Sequence, residues 1–352
     1  VATQGDGAII KFNLQVAETV RLYLEMTLDG VGGFGISVEN LAANVFHKVK
    51  QSHEFFSSHI PKGLRRYTCK HDHEGDVMRK GTIFLLLSLL MATGCSINPV
   101  TGQREFVMMS TAQEIEMGKQ NYSPMQQSQG GVYDVDPELT AYVQRVGQNV
   151  ASQSGVNLPY EFVVLNNSVP NAWALPGGKI AVNRGLLTEI ESEAELAAVL
   201  GHEAVHAAAR HSAQQQSRAM LIQVGVMGTA VAASDSDYGA LIVGGASVLA
   251  QAGLAKYGRS AELESDFYGM QYMSKAGYDP QGAVALQETF VRLSEDRRSD
   301  WLSGLFASHP PSRERVRANV ATASTLPPGG KRGEREYQAV MRKTIQLKPA
   351  YE

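Results

Sequence analysis

From residue 111 onward, apolar positions recur mostly at helical spacing, with one interruption around residues 160–183 where they form short runs between turn residues. Ser110-Thr111-Ala112-Gln113-Glu114 predicts a helix start, with Thr111 and Glu114 at capping-box spacing. Asp136-Pro137-Glu138 opens a second helix and puts Leu139, Val143 and Val146 on one face. Residues 160–165 read as a strand, and residues 171–175 and 179–183 flank Pro176-Gly177-Gly178 as a hairpin. Ser192 then caps a long helix running through at least His211, rich in Glu at its start and Ala in its body. Residues 219–255 are rich in Ala, Gly, Val and Leu, interrupted by Ser234-Asp235-Ser236-Asp237. Each half is shorter than a spanning helix and dotted with glycine, which predicts two packed core helices rather than a transmembrane hairpin. An apolar surface resting on a membrane is the rival expectation. Helices follow over residues 261–275, 280–292 and 311–321, and the Pro/Gly/Lys-rich tail after Leu326 reads as loose.

The composition changes at residue 78. Met78-Arg79-Lys80 is a short basic start, residues 83–91 are an apolar run, and Ala92-Thr93-Gly94 are small residues directly before Cys95. A basic region, a short apolar region and a small-residue cleavage site describe a secretory signal peptide, too short to span a bilayer as a mature helix. The cysteine after small residues resembles a bacterial lipobox, which implies an acylated Cys95 as the first residue of the mature chain. Ser96 after it, by the same resemblance, favours the outer over the inner membrane. Residues 1–77 are then expected to be a mis-assigned upstream extension or a disordered segment. Their Cys69, His71 and His73 lack a second half with ligand spacing and read as solvated linker. Residues 78–94 are the signal peptide and residues 95–352 a single domain.

Composition changes this picture little. A chain of 352 residues can bury a sizeable core, and a formal charge of −3 with no basic stripe excludes nucleic acid as a partner. Of two cysteines, Cys69 precedes the cleavage site and Cys95 is acylated, so packing and a metal, not disulfides, must hold the domain.

The candidate chemistry lies on the Ser192 helix. His202 and His206 are four residues apart, one turn along the same face, and can approach one zinc ion at about 2.0–2.1 Å. Glu203 is rotated by roughly 100° and borders the metal's open side, where a carboxylate can take a proton from water and deliver it to the leaving amine. Two histidines at this spacing can also be merely structural, so the motif alone is a hypothesis. A catalytic zinc needs a third protein ligand and one open position. His211 comes five residues after His206, and the places where a metzincin carries glycine and histidine are Ala209 and Ser212, so His211 reads as structural. Glu262 and Asp266 share a helix face at i and i+4, while Glu264 points away. They offer a ligand and a carboxylate to orient a ligating imidazole, although on spacing alone a solvated acidic face explains them better than ligation does.

His202-Glu203-Ala204-Val205-His206-Ala207-Ala208-Ala209-Arg210-His211 resembles the HExxHxxxRH stretch of the CAAX-prenyl-protease/HtpX/Oma family of gluzincin metallopeptidases. Residues 262–266 resemble its ExxxD segment, residues 171–180 its substrate-side hairpin, and Ser308-His309-Pro310-Pro311 its HPP segment. The resemblance implies one zinc ion per chain on His202, His206 and Glu262, Glu203 as general base, and Asp266 behind the ligands. It implies an α+β, mainly helical zincin domain with a small antiparallel sheet or hairpin beside the active-site helix. Gly177, Gly178, Lys179 and Ile180 would meet substrate, pairing backbone with an extended chain at an exposed edge. His309 could stabilise the oxyanion or cap the open zinc position in a latent form, and Arg313 could orient Glu262 or Asp266. Loop anchoring competes for both. Neither the membrane helices of the prenyl-protease and HtpX branches nor a C-terminal repeat is evident, which points to the stand-alone periplasmic lipoprotein branch. The expected function is a zinc endopeptidase for misfolded or misassembled envelope proteins, lipid-anchored on the periplasmic face of a bacterial membrane. The alternative is a non-proteolytic zinc lipoprotein serving as chaperone or scaffold. Partners are unfolded substrates, the membrane and, as an option, other copies of the chain.

Overall fold

The computed structural model describes residues 95–233, 238–295, 306 and 308–346. The expected upstream extension, the signal peptide and the Cys69, His71, His73 cluster all lie outside the described residues.

Described residues form a mainly helical α+β unit. A small antiparallel ladder comes first: β1 (Cys95–Ile97) pairs with β2 (Arg104–Phe106). Helix α1 (Thr111–Ser128) follows, capped one residue earlier than the spacing suggested. Ser110 accepts from the Gln113 N–H at 3.3 Å, and Gln113 reaches back to the Ser110 N–H at 2.8 Å. That frees Glu114 to turn inward, where it is buried against Arg210. Helix α2 (Pro137–Ala151) buries Leu139, Val143 and Val146 as their spacing requires.

Strands β3 (Glu161–Leu165), β4 (Ala172–Leu175) and β5 (Lys179–Asn183) form one sheet in the order β3-β5-β4. The β4–β5 hairpin is antiparallel as expected, but β3 joins in parallel, so the sheet is mixed. This corrects the reading of the hairpin. The strand with Lys179 and Ile180 is central, with both edges paired, and Ile180 is fully buried. β4 is an edge strand and lies against the histidine helix. Gly177 and Gly178 have φ of 78° and 87°, and the turn is packed inward: a Cβ on Gly177 would come within 2.6 Å of the Ile115 backbone. Neither glycine is free to approach a substrate. Lys179 is occupied by Glu161 at 2.6 Å.

After the short α3 (Arg184–Leu187), Ser192 caps α4 (Glu193–Ala208), accepting from the Glu195 N–H at 3.2 Å. The helix stops short of His211. Arg210 takes a left-handed φ of 64°, and His211 begins a new helix, α5 (His211–Ala232). The cause is long-range: the Arg210 guanidinium is drawn to buried Glu114 and to Ser96 at 2.8 Å. Helix α6 (Gly239–Lys275) returns alongside α5 and continues into the body of the domain, followed by α7 (Gln281–Glu295), α8 (Arg313–Thr325) and α9 (Glu334–Gln346).

Two expectations fail. The described part of the tail, residues 327–346, is not loose. Tyr337 and Met341 lie one turn apart on α9, both buried, and the Tyr337 hydroxyl donates to the Leu187 carbonyl at 2.6 Å. Nor are α5 and α6 core helices over residues 219–255. They pack on each other but leave Met227, Leu241 and Val248 at 62%, 75% and 67% exposure.

Candidate metal centre

Helix α4 is built to sit deep. Its first turn is anchored by Glu193, which accepts from Tyr142 at 2.8 Å, Tyr278 at 2.9 Å and Lys331 at 2.7 Å. These partners outweigh its burial and hold the carboxyl below its ordinary range. Its body crosses α6 at two glycines. A Cβ on Gly269 would lie 3.0 Å from the His202 nitrogen, and one on Gly201 would lie 3.1 Å from the Gly269 carbonyl. Absence of side chains there lets the helix carrying Glu262 and Asp266 approach the histidine helix closely.

Four side chains converge at this crossing. His202 Nε2 lies 3.0 Å from His206 Nε2, 3.2 Å from His309 Nδ1 and 3.3 Å from Glu262 Oε2. Glu262 Oε1 is 3.2 Å from both His206 Nε2 and His309 Nδ1. Tetrahedral zinc with bonds of about 2.0–2.1 Å holds its ligand atoms about 3.3 Å apart, so the spacing and the N₃O donor set both fit zinc.

The surroundings fix which atoms face inward. His202 Nδ1–H donates to Asp266 Oδ1 at 2.9 Å, leaving Nε2 for the centre. Asp266 is in turn clamped by Arg315 through Nε and Nη2, both at 2.7 Å, and Arg315 Nη1 reaches Glu262 at 2.9 Å. Burial raises the Asp266 pKa, but Arg315 outweighs it and holds the carboxyl below its usual range. Likewise His202 and His309 overcome the burial of Glu262 and keep it ionised. His206 turns its Nδ1 to His211 Nδ1 at 3.0 Å, and His211 Nε2 meets Glu264 at 3.2 Å. With His206 Nε2 directed at the centre, its Nδ1–H donates to His211, whose own N–H donates to Glu264.

His202, His206, Glu262, Asp266, Glu203 and His309 therefore meet, whereas Gly177, Gly178, Lys179 and Ile180 belong to the buried turn and central strand. Arg313 is a correction. It is exposed on the first turn of α8 and pairs with Glu295 at 2.8 Å, while Arg315 performs the task expected of it. Ser312 caps α8, so Arg315, Asn319 and Ala323 form its buried stripe, a signal visible once the cap is placed. His211 and Glu264 were also missed as partners of the centre, because the break at Arg210 swings His211 back over His206. Glu203 is buried, with Oε1 3.4 Å from His309 Nε2.

Without metal, burial works against charging His202, but Glu262 and Asp266 outweigh it and push its pKa up to about 10. Burial dominates at His206 and pushes it down to about 3. At neutral pH His202 thus holds a proton where a metal would bind, and zinc binding should release about one proton per chain. The proton competes below the raised pKa, so apparent zinc affinity should climb about tenfold per pH unit across roughly pH 6–9 and flatten above it. Titration calorimetry in buffers of different ionisation enthalpy measures this; no proton release would contradict it.

A mainly helical α+β unit presenting HExxH on one helix and a glutamate on a second defines a zincin of the gluzincin type. The chain belongs to peptidase family M48, whose sequence model matches residues 137–323. It is 32% identical over 219 residues to the beta-barrel assembly-enhancing protease of Yersinia pestis, covering 60% of this chain and 43% of that protein. It is 33% identical over 223 residues to the mitochondrial metalloendopeptidase OMA1 of Schizosaccharomyces pombe, covering 62% and 64%. Metalloprotease YcaL of Escherichia coli matches at 30% over 191 residues, covering 52% and 70%. The match thus spans less than two thirds of each of the first two relatives.

Proposed function

We propose that this chain is a zinc-dependent endopeptidase acting on misfolded or misassembled proteins of the bacterial envelope. The observation that carries the reading is the convergence of His202, His206 and Glu262 at zinc spacing, with the Glu203 carboxylate beside them. Zinc held there would acidify water and polarise a scissile carbonyl. Glu203 takes the proton of the attacking water and passes it to the leaving amine. Asp266 and Arg315 hold His202 in position, and His211 with Glu264 does the same for His206. Edge strand β4 offers backbone pairing to an extended chain whatever its sequence. Beside the histidines and Glu203 lies a small cavity lined by Val199, Leu286, Met270 and Phe290 together with Asp266, Arg315 and Asn319. The name of the Yersinia relative, a beta-barrel assembly-enhancing protease, supports envelope proteins as the substrate class. In this reading residues 95–352 are the mature domain, lipid-anchored through Cys95 on the periplasmic face, with the outer membrane favoured.

His309 fills the fourth position as a latent cap. A catalytic zinc needs that position open, and the ring also lies between Glu203 and the other donors. The same closed set favours a second reading, a non-proteolytic zinc lipoprotein serving as chaperone or scaffold. Casein hydrolysis decides between them. The first reading expects activity that a chelator abolishes and zinc restores, and an increase in His309→Ala with zinc still bound. Absence of hydrolysis by both proteins in the zinc-loaded state would leave the scaffold.

A further inference from the structure

We propose that the arms of the α5–α6 hairpin insert into a lipid bilayer and seat the peptidase domain on the membrane. In sequence, Asp235 and Asp237 are the only charges between Arg218 and Lys256, and they fall in the segment joining the two arms, not along either. Helix α6 is long and apolar enough to cross a membrane, and none of its most apolar eighteen residues is buried.

The exposure runs around the hairpin rather than along one side. On α5, Met220, Val224 and Met227 face outward, and on α6, Leu241, Ile242, Val248 and Leu249 do so. At 100° per residue the α6 set spans an arc of about 120°, and on each arm the half-buried positions form one stripe, Ile222, Val226 and Thr229 on α5 and Val243, Ala246 and Ala250 on α6, with exposed positions on the remaining sides. A protein groove or a second copy of the chain covers one side of such a hairpin. A bilayer covers them all, so lipid is the occupant that matches the distribution. Hydroxyls along the arms are satisfied without water: Thr229 donates to the Val226 carbonyl at 2.7 Å and Ser247 to the Val243 carbonyl at 2.9 Å. Gly225, Gly228, Gly244 and Gly245 have nothing within 4 Å of a built Cβ, so no tight packing within the protein requires them.

The base of the hairpin carries the groups expected at a headgroup boundary. The Arg218 guanidinium lies 4.0 Å over the Tyr257 ring, with Lys256 and Arg259 beside it in sequence. From this collar each arm extends on the order of 25 Å, a little less than the about 30 Å hydrocarbon core, and local thinning accommodates such a shortfall. Met108, two residues beyond the ladder that contains Cys95, donates its N–H to Ser217 at 2.9 Å on the same base. His211 starts α5 seven residues before Arg218, so the metal centre would sit roughly 10 Å above the collar, facing chains that emerge at the lipid surface.

This inference stands apart from the peptidase reading and from acylation of Cys95. Its test uses the full chain with Cys95→Ser, mixed with vesicles of equal phosphatidylcholine and phosphatidylglycerol and separated by flotation. The parent should float. Adding Leu241→Glu with Val248→Glu should lower the bound fraction at least tenfold, with circular dichroism and zinc content unchanged. The apolar run at residues 83–91 is present in both proteins, so the difference reports the hairpin. In a separate Val248→Trp protein, lipids brominated in their acyl chains should quench the introduced tryptophan. Equal flotation of parent and charged variant, no flotation of the parent, or absence of quenching would each overturn the proposal. So would a hairpin-dependent dimer that forms without lipid and persists when vesicles are added.

Discussion

Glu203→Gln should lower kcat/KM on unfolded casein by roughly a hundred- to ten-thousand-fold, the usual contribution of a positioned general base. The substitution keeps side-chain shape, and Glu203 is not among the converging donors, so the variant should retain one zinc per chain and the wild-type fold. An amide can still donate to or accept from a neighbour, but it cannot take a proton from water. Assays on zinc-loaded wild type and variant, with metal content measured in parallel, test this directly. Equal activity of the two would remove Glu203 from the chemistry.

Arg315→Leu should be the most damaging change outside the donors. Arg315 is buried, with both Asp266 and Glu262 as partners, and removing one member of a buried ionic cluster typically costs about 3–5 kcal/mol. Asp266 would lose the clamp that orients His202, so zinc affinity should fall by about 10–100-fold, the usual effect of losing a partner behind a ligand. Arg313→Leu is the control. Its ion pair with Glu295 is exposed, and such pairs add little to stability. Denaturant midpoints and competitive zinc titrations of the two variants should separate widely. Similar behaviour would mean that the buried cluster does not support the centre.

The arginine pair shows where sequence reasoning stopped. An arginine near the HPP segment was expected to hold a carboxylate, yet choosing between Arg313 and Arg315 required the helix start. A cap at Ser312 turns Arg313 to solvent and Arg315 inward. Similarly, the tail's Pro/Gly/Lys composition concealed the Tyr337 and Met341 pair, whose spacing was available. Residues 219–255 failed for another reason. Apolar composition says that a segment avoids water, but not whether protein or lipid replaces it.

By itself the sequence determined whatever depends on neighbours within one or two turns: the shared face of His202 and His206, the adjacent Glu203, the Glu262 and Asp266 pair, and the cap at Ser192. Helical periodicity sets these angles before any tertiary contact forms. Tertiary structure decided the rest, because it joins side chains with no common periodicity. His309 meets His202 across 107 residues, and Arg210 reaches Glu114 across 96, breaking the helix and turning His211 towards His206. It also placed β5 at the centre of the sheet, because β3 pairs with it in parallel on the side opposite β4. Local spacing could name the donors; only the crossing at Gly201 and Gly269 could bring them to one point.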